Sequence, residues 1–112
     1  MERALAIEMA PFRMADGVTA AELLAASDAL ERNFLALADG YLGRVLVKKD
    51  ATSWADIVFW ESAAHAAKAM ESVASSEACR AYFGCMASAD HDDPGEGVTL
   101  FEAVRRYGKA AA

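Results

Sequence analysis

The chain has 112 residues, a formal charge of −6 and a pI near 4.8, with 25% charged residues. That length fits one domain able to bury a core without disulfides or a structural metal, and that charge content fits a folded rather than a disordered chain. The acidic balance works against non-specific attraction to nucleic acid or anionic lipid, so neither is expected as a partner.

Residues 4–10 alternate, with Leu5, Ile7 and Met9 on one face and Glu8 on the other, as in a strand. Residues 11–17 read as a loop. Thr19 followed by Glu22 forms a capping box, and Val18 and Leu23 stand where a hydrophobic staple would close. Leu23, Ser27, Leu30, Phe34 and Leu37 then recur at helical spacing, and Gly40 is the expected helix end.

Residues 41–49 and 54–60 are rich in β-branched and aromatic side chains and flank Asp50-Ala51-Thr52-Ser53, which predicts a hairpin. Ser62 is a good N-cap for a second helix carrying Ala63, Ala66, Ala67, Met70, Val73 and Ala74 inward. Ser75-Ser76 interrupts that helix and recaps a shorter segment with Cys79, Tyr82, Phe83 and Met86 on one side. Residues 87–97 hold Asp-His-Asp-Asp-Pro-Gly and predict a mobile loop. Residues 98–106 predict the last strand, and 107–112 a frayed tail. The whole of 1–112 thus reads as one domain.

The order strand, helix, strand, strand, helix, strand is the split βαβ arrangement. It predicts an α+β, ferredoxin-like fold with an antiparallel sheet and both helices on one face. Of the 112 residues, 27 are Ala, so the core must come from a smaller set of large apolar side chains. In the third strand Trp54, Asp56, Val58 and Trp60 share one face, and Ala55, Ile57 and Phe59 the other. Both faces are apolar, so something must cover the second, and a second copy of the chain does so most simply. A homodimer through the sheet faces is expected.

No apolar run reaches the roughly 20 residues needed to cross a bilayer. The start, Met1-Glu2-Arg3, lacks the pattern of a signal peptide, and a cytoplasmic protein without membrane contact is expected. Cys79 and Cys85 are six apart and form no CxxC pair, so they read as small buried hydrophobes. His91 among Asp90, Asp92 and Asp93 matches no calcium loop, and no metal is expected.

Asp56 is the least ordinary strand residue. A carboxylate among Trp, Ile and Val needs a partner or a raised pKa. If residues 49 and 53 flank the turn, Arg44 lies diagonally across from Asp56 on the same face, and Lys48 opposes Trp54. Two readings stay open: an ion pair at the sheet rim, or a pocket where a carboxylate, a guanidinium and an indole meet a small planar substrate. Tyr41, Glu8 and Glu102 are further candidates for that pocket. Trp54, Phe34 and Met70 are candidate ligand contacts, and His65, in the first turn of the second helix, faces either solvent or the pocket.

The element order resembles the dimeric α/β-barrel superfamily, with Gly40-Tyr41-Leu42-Gly43 leading into the second strand. So do Trp54-Ala55-Asp56-Ile57-Val58-Phe59-Trp60-Glu61-Ser62 and Ser76-Glu77-Ala78-Cys79-Arg80-Ala81-Tyr82-Phe83. More narrowly, residues 4–106 are similar to the antibiotic-biosynthesis-monooxygenase-like domains. The resemblance implies a dimeric α/β barrel and a cofactor-independent monooxygenase-like reaction on a small aromatic or quinol-like molecule. The alternative is a non-catalytic barrel that binds a small hydrophobic ligand or only supports another protein. Trp60 resembles the Trp that lines the sheet–helix cavity in the monooxygenase members; it reads either as a core aromatic at a strand end or, with Asp56 and Arg44, as a candidate catalytic group. Those members also carry an Asn on the first or second strand, or a His late in the second helix. Here the one Asn, Asn33, falls on the first helix and Met70 stands near the position of that His, so haem degradation is not expected.

Overall fold

A computed structural model describes residues 5–87 and 97–109. Its strands are β1 (Ala6–Arg13), β2 (Tyr41–Lys48), β3 (Ser53–Trp60) and β4 (Thr99–Glu102). Its helices are α1 (Ala20–Asn33), α2 (Ala63–Ser72) and α3 (Glu77–Gly84), with 3₁₀ turns at Leu35–Leu37 and Val73–Ser75. The strands form one antiparallel sheet in the order β2-β3-β1-β4. This is the ferredoxin-like α+β arrangement.

Local chemistry explains the element ends. Thr19 Oγ1 accepts from the Glu22 amide at 3.1 Å and the Thr19 amide donates to Glu22 Oε1 at 3.2 Å, closing the capping box. Ser62 and Ser76 cap α2 and α3 by accepting the amides of His65 and Cys79. In the hairpin, Asp50 Oδ1 accepts the amides of Thr52 at 3.1 Å and Ser53 at 2.9 Å, and the Lys49 amide meets the Ser53 carbonyl at 2.8 Å.

Four expectations shift. Strand β1 runs on through Pro11 to Arg13, with Pro11 lying opposite Ala55. Helix α1 ends at Asn33, because Phe34 leaves helical geometry and the chain tightens into a 3₁₀ turn before Gly40. That break turns Leu37 outward, to 76% exposure, instead of inward. On α2 only Ala66 is fully buried, while Ala63 and Ala67, like Ala74 in the turn that follows, face outward and Met70 is half exposed. The last strand is shorter than expected, and most of the loop at 87–97, with His91 and its aspartates, lies outside the described residues.

The core lies between the sheet and the helices, around Leu23, Leu30, Trp54, Val58, Trp60, Cys79 and Tyr82. Register assigns every strand residue a face. Trp54, Asp56, Val58 and Trp60 point under the helices, opposite Phe12, Ala10, Glu8 and Ala6 of β1. The other face carries the rows Val45–Ile57–Met9 and Phe59–Ile7–Phe101, and Met9, Val45 and Phe101 are exposed there. Among the described residues no helix is long and apolar enough to cross a membrane.

Candidate functional site

A cavity of about 210 Å³ opens between the inner sheet face and the helices. Leu30 of α1, Phe34 just past its end and Met70 of α2 supply apolar walls, and Cys79 and Tyr82 come from α3. The sheet contributes almost all of the polarity: Glu8, Arg44, Asp56 and the indole of Trp60.

These groups lie in a row across three strands. Val58 sits between Arg44 on one side and Glu8 on the other, so Asp56, two residues back, is diagonal to both. Arg44 Nε lies 3.7 Å from Asp56 Oδ1, and both side chains are only 8% exposed. The Tyr82 hydroxyl donates to Asp56 Oδ2 at 2.5 Å. Arg44 Nη2 donates to the Ser27 carbonyl at 3.2 Å and also to Ser27 Oγ, which fixes the guanidinium from the helix above. The guanidinium carbon stands 5.6 Å from the Tyr82 ring centre. At the other end of the row, Trp60 Nε1 donates to Glu8 Oε1 at 3.2 Å.

The electrostatics follow from burial. Asp56 is pushed above the usual carboxylate value because burial penalises its charge more than the Tyr82 bond and Arg44 relieve it. Glu8 is also raised, first by burial and further by the charge of Asp56, against the stabilising Trp60 bond. Tyr82 is raised by burial and by Asp56, so it stays a donor. Two carboxylates that titrate above their ordinary range therefore share one largely apolar cavity with a fixed cation. Such a set can take up and return a proton and can hold a developing oxyanion.

The structure brings together Arg44, Asp56, Trp60, Phe34 and Met70 as cavity groups, and the diagonal Arg44–Asp56 placement is present. Four other candidates stand elsewhere. Trp54 is at the far end of β3 under Lys48, whose Nζ is 5.6 Å from the indole centre. Tyr41 packs edge-on against Trp60 and donates to Glu31 Oε1 at 2.7 Å, outside the cavity wall. His65 lies between Ser62 Oγ, 2.7 Å from Nδ1, and Glu61, 3.8 Å from Nε2. Its ring lies over Gly40, away from the cavity. Glu102 is exposed on β4 opposite Ala6.

Sequence reasoning missed Ser27 and Tyr82 as site groups and could not place Glu8. Buried Ser27 was legible in one respect, as a polar residue in an otherwise apolar helical stripe. No group of three or more metal-ligating side chains occurs among the described residues.

Neither a protein-family model nor a curated protein matches the chain in sequence. Solved structures do match in fold. A mutant of SnoaB, a cofactor-independent oxygenase from Streptomyces nogalater, superposes with a TM-score of 0.73 at 16% identity, over 95% of this chain and 99% of that one. A protein assigned as an antibiotic biosynthesis monooxygenase from Bordetella bronchiseptica gives 0.69 at 17% identity, over 94% and 100%. A heme-degrading protein from Mycobacterium tuberculosis gives 0.55 at 16% identity, over 96% and 100%. The chain thus has the fold of antibiotic-biosynthesis-monooxygenase-like proteins across nearly its whole length.

Proposed function

We propose that the protein is a cofactor-independent monooxygenase acting on a small aromatic, quinol-like molecule in the sheet–helix cavity. One observation carries this reading: two carboxylates with raised pKa and a fixed guanidinium line a single apolar chamber beside an indole. The likeness in fold to SnoaB supports it.

The chemistry needs a substrate that can give up a proton and then electrons. Trp60 and Phe34 bracket the aromatic body. Asp56, with Glu8 behind it, accepts the proton from an activated carbon or phenol, and Arg44 holds the resulting oxyanion. Molecular oxygen is the oxidant. When an activated CH₂ becomes C=O, one oxygen atom enters the product, and the other leaves as water with the two hydrogens of that carbon. The substrate loses four electrons and oxygen gains four. The apolar walls favour this by excluding water from the carbanion.

The active species in this proposal is a homodimer. Its support is the uncovered row of Ile7, Met9, Val45, Ile57, Phe59 and Phe101, an apolar sheet face that a second copy would cover.

An oxygen electrode decides the enzymatic part. Purified protein is screened against small phenols, quinols and anthrone-type ketones, and oxygen uptake above the rate without protein is expected for at least one class. Binding of such compounds with no oxygen uptake from any of them would favour the non-catalytic ligand-binding barrel.

A further inference from the structure

The Arg44–Asp56 cluster leaves two buried polar atoms without a hydrogen-bond partner among the described residues: Arg44 Nη1 and Asp56 Oδ1. Both side chains are more than nine-tenths buried, and both line the cavity. Arg44 Nε faces Asp56 Oδ1 at 3.7 Å, beyond hydrogen-bond reach. Arg44 Nη2 is spent on Ser27, and Asp56 Oδ2 on Tyr82. Leaving such atoms unsatisfied costs far more than leaving them exposed would, so their placement at a cavity wall is informative.

We propose that Arg44 Nη1 and Asp56 Oδ1 form a paired subsite for the edge of a planar ligand with a carbonyl beside an N–H or O–H, as in a lactam or an enolised diketone. The carbonyl oxygen accepts from Nη1, and the neighbouring N–H or O–H donates to Oδ1. Nη1 and Oδ1 belong to two side chains that already lie alongside each other, with Nε 3.7 Å from Oδ1, and a small turn of their free ends toward the chamber presents both to one ligand edge. Ser27 and Tyr82 hold Nη2 and Oδ2 from two different helices, so only the free ends of the pair have to shift on binding. Phe34 and Val58 give the ring its apolar bed, and the 210 Å³ volume admits a body of one or two fused rings. This inference rests on the cavity being a ligand site, as in the proposed function, but not on any reaction in it.

The test compares ligands of one shape by isothermal titration calorimetry on the intact protein. 2-Quinolone presents the carbonyl and the N–H side by side. Coumarin has the same outline with a ring oxygen in place of the N–H, and naphthalene has neither group. 2-Quinolone is expected to bind at least about tenfold more tightly than coumarin, because coumarin leaves Oδ1 unpaired and faces it with an oxygen. In Arg44→Met or Asp56→Leu the preference is expected to vanish. Where a variant fails to fold, the wild-type series alone decides. Equal affinities for 2-quinolone and coumarin, or no binding of 2-quinolone, would overturn the subsite. Oxygen uptake on phenols together with equal affinities would remove the subsite and spare the oxygenase. A clear 2-quinolone preference without oxygen uptake on any aromatic would do the reverse.

Discussion

The Tyr82 hydroxyl donates to Asp56 Oδ2 at 2.5 Å, tying α3 to an inner strand of the sheet beneath it. The bond joins two residues 26 positions apart that are both almost fully buried. It links the packing of the helix to the charge of the site.

Tyr82→Phe removes that donor while keeping the ring contacts to Phe12 and to the Arg44 guanidinium. The orphaned carboxylate oxygen is expected to cost about 1–3 kcal/mol of stability. Urea unfolding should show a lower midpoint with an unchanged slope. An unchanged midpoint would mean that another donor reaches Asp56 when the phenol is gone.

Acidity should reveal the buried carboxyls. Burial first, and then mutual charge for Glu8, raise Glu8 and Asp56 above their ordinary values of 4.5 and 3.8. A raised carboxyl holds more protons folded than unfolded. Its contribution to stability is complete below the ordinary value and is lost as pH climbs through the raised one. Asp50 works in the opposite sense. Backbone amides depress it, so its contribution is present above 3.8 and fades as pH falls through the depressed value. Glu8→Gln should therefore gain on wild type as unfolding is measured from about pH 4 up to about pH 8. A gap that stays constant with pH would show that Glu8 titrates in its ordinary range.

Turnover provides the third check. With a substrate found by oxygen uptake, Trp60→Phe and Asp56→Asn are each expected to slow turnover at least about tenfold, or about 1.4 kcal/mol of barrier, with the fold kept. Full activity in both variants would remove these residues from the chemistry.

The uncovered sheet face makes a claim about mass. Sedimentation equilibrium of wild type at micromolar concentration should give about twice 11.9 kDa. Ile57 lies between Val45 and Met9 on that face, so Ile57→Lys should split the dimer or unfold it. A wild type that sediments as a monomer would leave the apolar face unexplained and sink the dimer.

Gly40 has φ +80°, and a Cβ built there would lie 2.3 Å from the His65 ring. Gly40→Ala therefore carries both the left-handed backbone cost, about 1–2 kcal/mol, and a collision. Adding His65→Ala should return only the collision part, as a double-mutant cycle in thermal or urea unfolding would show. Additive effects would mean that the ring moves aside freely.

Much of this was legible because it is local. The hairpin loop at Asp50 sets the register of β2 on β3, and from that register alone Arg44 falls diagonal to Asp56. Glu8 was not legible in the same way. Its alternation with Ile7 and Met9 suggests an outward polar residue, yet β1 pairs with β3 so that Glu8 turns under the helices and the apolar set faces out. Strands distant in sequence have no turn to fix their parity, and here both faces are apolar enough to allow either. Tyr82 was hidden for a related reason. Helical spacing placed it on an inward side with Cys79, but its reach to Asp56 depends on how α3 lies across the sheet. Leu37 followed the periodic stripe on paper and lost it when the helix stopped at Asn33.

The exposed Asp50 turn therefore has authority over atoms it never touches. Side chains alternate along a strand, so one residue added between Lys49 and Ser53 that slid β2 by a single step would swing Arg44 to the uncovered face and strand Asp56 among apolar walls. Loop length there is a switch for the charge pair. Sorting related chains by the size of this one surface turn would sort them by whether the guanidinium sits in the chamber at all.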